Sequence, residues 1–252
     1  MPIRRPKSDG RCIHCREKID KKSKKTADHV FPSSWYPDST PSGIQRWTAP
    51  SCEKCNGESG EKEKQLLVRI ALCIDPNKAE AAGLYKRAKA SMGIGVVGLD
   101  EKEARIRKAL KDEVFKDAQI YTGNVKENVI PGLGPHPETP HGQQYEIGIS
   151  ADDFIEVAKK IVRGFEWWLG NARIVEPPLE IDVLTVSVEN LPSEVRKLIS
   201  YFSATHLGPG VRLRRGAAQD GSGAVLYEII MWDTIPLYCA ILPPEADDEK
   251  PN

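Results

Sequence analysis

Apolar residues recur at helical spacing in the first half of this chain and mix with alternating runs in the second. Over residues 62–74, Leu66, Leu67, Ile70 and Ile74 fall on one face of a 3.6-residue repeat and predict a helix. Asp75-Pro76 ends it, because proline cannot continue the hydrogen-bond ladder. Residues 78–91 and 101–119 predict two more helices, the second aligning Leu110, Val114 and Ala118. Between them, Met92-Gly-Ile-Gly-Val-Val-Gly98 has the glycines of a phosphate loop but neither its lysine nor a preceding strand, and reads as a turn. After a Gly- and Pro-rich stretch at 122–141, residues 143–149 alternate as a strand. Ser150-Ala-Asp-Asp153 then caps a helix striped by Phe154, Ala158, Ile161, Phe165 and Trp168. Residues 179–188 predict a strand, 193–202 a short helix, and 211–242 a meander of three strands turning at Asp220-Gly221 and Thr234-Ile-Pro236.

The expected fold class is α+β. It divides into an N-terminal module at 1–75, a helical connector at 76–121, a seam at 122–141 and a C-terminal α+β domain with an antiparallel meander at 142–252. Composition narrows this little: of 252 residues, 40% are hydrophobic and 29% charged, which supplies a core and excludes global disorder. No run approaches the roughly 18 apolar residues of a membrane helix, so a cytoplasmic protein is expected. Net charge is zero, but residues 1–25 carry ten basic side chains against three acidic ones, while the tail at 245–252 is acidic. The basic block suits contact with a phosphate backbone; a solvated face is the bland alternative.

Four of the six cysteines form two pairs of equal spacing, Cys12-Ile-His-Cys15 and Cys52-Glu-Lys-Cys55. A two-residue gap lets a tight turn present both sulfurs to one ion, and four thiolates fill the tetrahedral shell of a structural Zn²⁺. His14 sits inside the first pair as a competing ligand. Cys73 and Cys239 stand alone in apolar surroundings and read as core thiols. A filled zinc shell has no open position, so any catalysis needs other residues.

Between the pairs runs Thr26-Ala-Asp-His-Val-Phe-Pro32, and Asn56 follows the second pair at once. Over residues 10–65 this layout resembles the HNH, or His-Me finger, nucleases, in particular those with an endonuclease VII-like arrangement of CxxC, Asp-His and CxxC-Asn. The resemblance implies a zinc-stapled ββα-metal module that hydrolyses phosphodiester bonds in DNA. The chemistry agrees. His29 titrates near neutral pH and suits a general base that activates water. Asp28 and Asn56 offer hard oxygen ligands for a catalytic Mg²⁺ or Mn²⁺. Adjacent residues of a flat strand point to opposite faces, so the shared aim of Asp28 and His29 is implied by the resemblance alone. Where many such nucleases carry an Asn that orients the His, this chain has Trp47, leaving Gln45 or a backbone carbonyl as substitutes.

Other candidates are weaker. Glu61 or Glu63 is a possible extra ligand, although acidic residues early in a helix are explained by its dipole. Trp35, Tyr36, Trp47 and the Trp167-Trp168 pair read as core aromatics before base-stacking platforms, and His136 and His141 as loop bystanders. Arg212, Arg214 and Arg215 either touch DNA or protect an edge strand. Two alternatives stand beside the nuclease: a silent zinc module that binds nucleic acid, and a nuclease gated by a ligand- or partner-sensing C-terminal half. Homodimerisation is open, and a role in restriction or phage defence is implied only by the resemblance.

Overall fold

Lys25–His29 (β1) and Thr48–Cys52 (β2) form an antiparallel hairpin in the register Asp28↔Ala49 and Lys25↔Cys52. The computed structural model describes residues 4–120, 145–185 and 190–244; the 122–141 seam with His136 and His141, and the acidic tail, lie outside the described residues. Glu53–Ala71 (α1) leaves β2 directly, with Glu53 in its first turn and Arg69 in its last, as the helix dipole favours. It starts well before residue 62, and its first turns carry almost no apolar side chain, so no periodicity announces them. Only its second half, with Leu66, Leu67 and Ile70, enters the core.

Leu84–Ser91 (α2) and Glu101–Asp117 (α3) follow. The predicted helix to residue 119 stops two residues early, since Ala118–Ile120 (β3) turns extended and pairs with Tyr145–Ile147 (β4) as Ala118↔Ile147. A long-range ladder has overridden a local helical pattern. Ala151–Leu169 (α4) is capped as expected, the Ser150 hydroxyl accepting from the Asp153 amide at 3.2 Å.

The C-terminal sheet is wider than the meander. Glu180–Thr185 (β5), Ala204–Gly208 (β6), Val211–Ala217 (β7), Val225–Met231 (β8) and Ile235–Leu242 (β9) run in the order β5-β9-β8-β7-β6, all antiparallel. Ser193–Ser200 (α5) packs Ile199 against Tyr238 of the sheet. The last reversal lies at residues 232–234, not at 234–236: Trp232 and Asp233 adopt φ of 54° and 49°. Pro236 belongs to β9, ahead of the point where β5 joins at Tyr238. A proline at a strand's start need break no ladder.

One continuous core runs from Ile13 through the hairpin, α1, α4 and the sheet to Ile241. The helix α4 is its axis. Toward the hairpin, Trp168 stacks on Trp47 with centroids 5.0 Å apart, and its Nε1 donates to the Thr48 carbonyl at 3.1 Å. Toward the sheet, the fully buried Glu166 accepts from Arg173 at 3.0 Å, from Arg215 at 2.8 Å and from the Tyr227 hydroxyl. Among the described residues no helix is long and apolar enough to cross a membrane.

Candidate functional site

The first cysteine pair sits in a turn braced by the Arg11↔Lys18 bridge, with Arg16 at φ 68°, and docks on the hairpin through Ile13 N–H to the Pro50 carbonyl at 3.1 Å. The second pair closes β2 at Cys52 and opens α1 at Cys55. All four sulfurs lie within 4.8 Å of one another, Cys15 and Cys52 at 4.0 Å. Ligands about 2.3 Å from a tetrahedral zinc stand about 3.8 Å apart, so the set fits. The thiols do not titrate alike. Burial would raise Cys12, but backbone N–H groups at Cys15, Cys52 and His14 bring it down to about 7. Cys55 is pushed far up by burial, by its hydrogen bond with Cys52 and by its neighbouring sulfurs. A divalent cation relieves that repulsion, and the cluster can hold a metal such as zinc.

His14 is engaged by the hairpin. Its Nε2 lies 2.8 Å from Asp28 Oδ2, both side chains being buried, and it ties the first cysteine turn to β1. The other oxygen, Asp28 Oδ1, lies 3.0 Å from the Lys160 ammonium of α4. That ammonium also meets Glu63 Oε1 at 2.7 Å and donates to the His29 carbonyl. Burial acts to raise Asp28, but the His14 hydrogen bond and Lys160 outweigh it, leaving the carboxyl below its ordinary value. Glu63 moves the other way: burial raises it, and Lys160 offsets this only in part.

His29 pairs with Thr48 at the end of β1. Burial first, then the charges of Lys160 and Arg46, depress its imidazole, with Asp28 opposing. It is therefore neutral at pH 7 and able to accept a proton. Its Nδ1 is buried without a hydrogen-bond partner. Trp47, at the position where many HNH nucleases carry an orienting Asn, is spent on α4, and Gln45 is exposed. Asn56 lies half-buried one turn into α1. It shares a helical stripe with Glu63 but stands about 10 Å from it along the axis, seven residues at about 1.5 Å each. No hydrogen bond joins it to Asp28 among the described residues. The structure thus gathers Asp28, the His29 carbonyl, Glu63, His14 and Lys160.

Beside this cluster and the sulfurs opens a cavity of about 240 Å³, lined by His14, Cys55, Lys62, Lys160 and Arg163 among others. Arg163 has no ion-pair partner within 4 Å among the described residues. Of the remaining candidates, Glu61 is exposed, and Trp35, Tyr36, Trp47, Trp167 and Trp168 are all core. Arg214 and Arg215 pair with Glu228 and Glu166 inside the molecule. Cys73 and Cys239 are raised by burial to about 11 and about 12, as inert thiols are. In comparisons with protein-family models, curated proteins and solved structures, nothing matches this chain.

Lys160 is what the sequence reading missed. It lies 131 residues from His29 and looks like any helical lysine. One signal was available: Lys160 shares a face with Val157, Ile161 and Gly164, so the core stripe of α4 carries a charge that needs a partner.

Proposed function

We propose that this chain is a metal-dependent HNH-type endonuclease acting on DNA. The observation that supports it is the junction of a four-cysteine cluster, a β-hairpin and a helix, with Asp28 and a neutral, half-buried His29 at the end of the first strand. Zn²⁺ would be held by Cys12, Cys15, Cys52 and Cys55 and would fix hairpin to helix. A catalytic Mg²⁺ or Mn²⁺ would be held by Asp28, with Asn56 as the second ligand implied by the family layout, and would neutralise charge on the phosphoryl and leaving oxygens. His29 would take a proton from the attacking water, whose oxygen forms the new P–O bond as the bond to the leaving oxygen breaks. The basic segment before β1 supplies cations for the phosphate backbone.

The test is plasmid cleavage by purified full-length protein in Mg²⁺ or Mn²⁺, beside His29→Ala. Loss of a general base removes about 10²- to 10⁴-fold of rate, so the variant leaves the plasmid intact over the time the native protein cuts it. Equal cutting by both removes His29 from the mechanism. A second reading, a silent zinc module that only binds nucleic acid, is favoured by one observation: both oxygens of Asp28 are already engaged, by His14 and Lys160. It requires salt-dependent DNA binding with no cleavage in either cation.

A further inference from the structure

Lysine is almost never fully buried unless paired, because its ammonium is strongly hydrated. Lys160 is 3% exposed in its side chain, and its Nζ meets two carboxylate oxygens and a backbone carbonyl. Those three donors, Asp28 Oδ1, Glu63 Oε1 and His29 O, are what a hard divalent cation prefers. We infer that they form a single cation cage in which the Lys160 ammonium and one Mg²⁺ or Mn²⁺ ion are alternative occupants. This deepens the nuclease reading, on which it rests for Asp28 as a metal ligand; it adds Glu63 and the His29 carbonyl as ligands and Lys160 as the competitor.

The two occupants exclude each other. The ammonium stands 2.7 and 3.0 Å from the carboxylate oxygens, and a magnesium ion bound about 2.0–2.1 Å from the same atoms would overlap it. Charge decides the direction of exchange. One ammonium balances one of the two carboxylates, whereas a divalent ion balances both. Space allows the exchange: Lys160 also lines the cavity beside His14, Lys62 and Arg163, which gives its side chain room to withdraw from the carboxylates. Since Lys160 belongs to α4, which also anchors the sheet through Glu166, metal occupancy is coupled to how the second half of the chain sits on the hairpin.

Mn²⁺ binding to zinc-loaded full-length protein, followed by the electron paramagnetic resonance of the free ion with zinc content held constant, tests this without any cleavage assay. Lys160→Met is expected to bind one Mn²⁺ at least about tenfold tighter than the native chain, the scale of a lost charge competitor. Adding Glu63→Gln is expected to reverse the gain. In the native protein, saturating Mn²⁺ is expected to expose Lys160 to acylation, read by mass spectrometry, and this measurement serves if Lys160→Met fails to fold. Unchanged Mn²⁺ affinity in a folded Lys160→Met protein overturns the proposal. So does Mn²⁺ bound at this site with Lys160 still protected, or a native chain that takes up no Mn²⁺ beside an unfoldable variant. Plasmid left uncut while Lys160→Met gains Mn²⁺ would sink the nuclease and spare the cage; cutting with no gain would do the reverse.

Discussion

His29 and Asp28 are neighbours whose titrations both favour the folded state at neutral pH, and their signs are the same. Each has a folded pKa below its ordinary one, so each contributes stability above its unfolded value and loses it as pH falls through the folded value. For His29 the window opens below about 6.5, and for Asp28 below about 3.9. With zinc holding the four cysteines as thiolates, the melting temperature is therefore expected to begin falling below about 6.5. His29→Gln should flatten that first step and leave the more acidic one, as circular dichroism melts across pH would show; identical curves would mean His29 is not depressed. If the chain cleaves DNA, the acid limb of its rate profile should likewise sit below the ordinary imidazole value, because the base stays neutral to lower pH. Asp28 and His29 were legible because a short motif names them together. Lys160 and Glu63 were not, because an ammonium's partners are set by how α4 crosses the hairpin, which no local spacing encodes.

Secondary-structure elements were legible where one face is apolar and the other polar. The α4 stripe and strand β7 obey that rule, whereas β8 and β9 are legible as nearly continuous apolar runs that the sheet buries on both faces. The start of α1 and the edge strand β6 follow neither pattern: the first has nearly no apolar residue, and in the second only Leu207 is buried. What positions α4 on the hairpin is a missing side chain. An added Cβ at Gly164 would lie 2.7 Å from Val30 Cγ1, closer than carbon atoms tolerate, and the obstacle is the body of a β-branched residue. Gly164→Ala must therefore push the two elements apart, at a cost of about 1–3 kcal/mol as an overpacked core position. Urea denaturation would measure it. Combining it with Val30→Ala should recover part of the loss, since the clash is with the valine's methyl groups; an additive double variant would place the strain elsewhere.

At the scale of the molecule, the N-terminal module is not closed by its own residues. Trp47 is covered by Trp168, Gly164 lies against Val30, and Trp35 packs on Trp232 with centroids 5.5 Å apart. The Trp232 Nε1 donates to the Trp35 carbonyl at 2.8 Å, so the hairpin loop between β8 and β9 reaches back into the first module. Lys160 and Glu166 then hold α4 from both sides, and removing one partner of such a buried pair typically costs about 3–5 kcal/mol. Sequence could not show this sharing, because each segment's apolar residues look sufficient for its own small core. The expectation is one cooperative unfolding transition for the full chain, with near-ultraviolet tryptophan signal and far-ultraviolet helix signal lost together. A fragment of residues 1–75, even loaded with zinc, should lack that transition: without α4 and the sheet it would expose Val30, Trp35 and Trp47 to water, and a cysteine-held hairpin has too little else to bury. Calorimetry of the two proteins decides it. A fragment that melts cooperatively on its own would show that zinc and α1 suffice, and that the second half is docked onto a finished module rather than built into it.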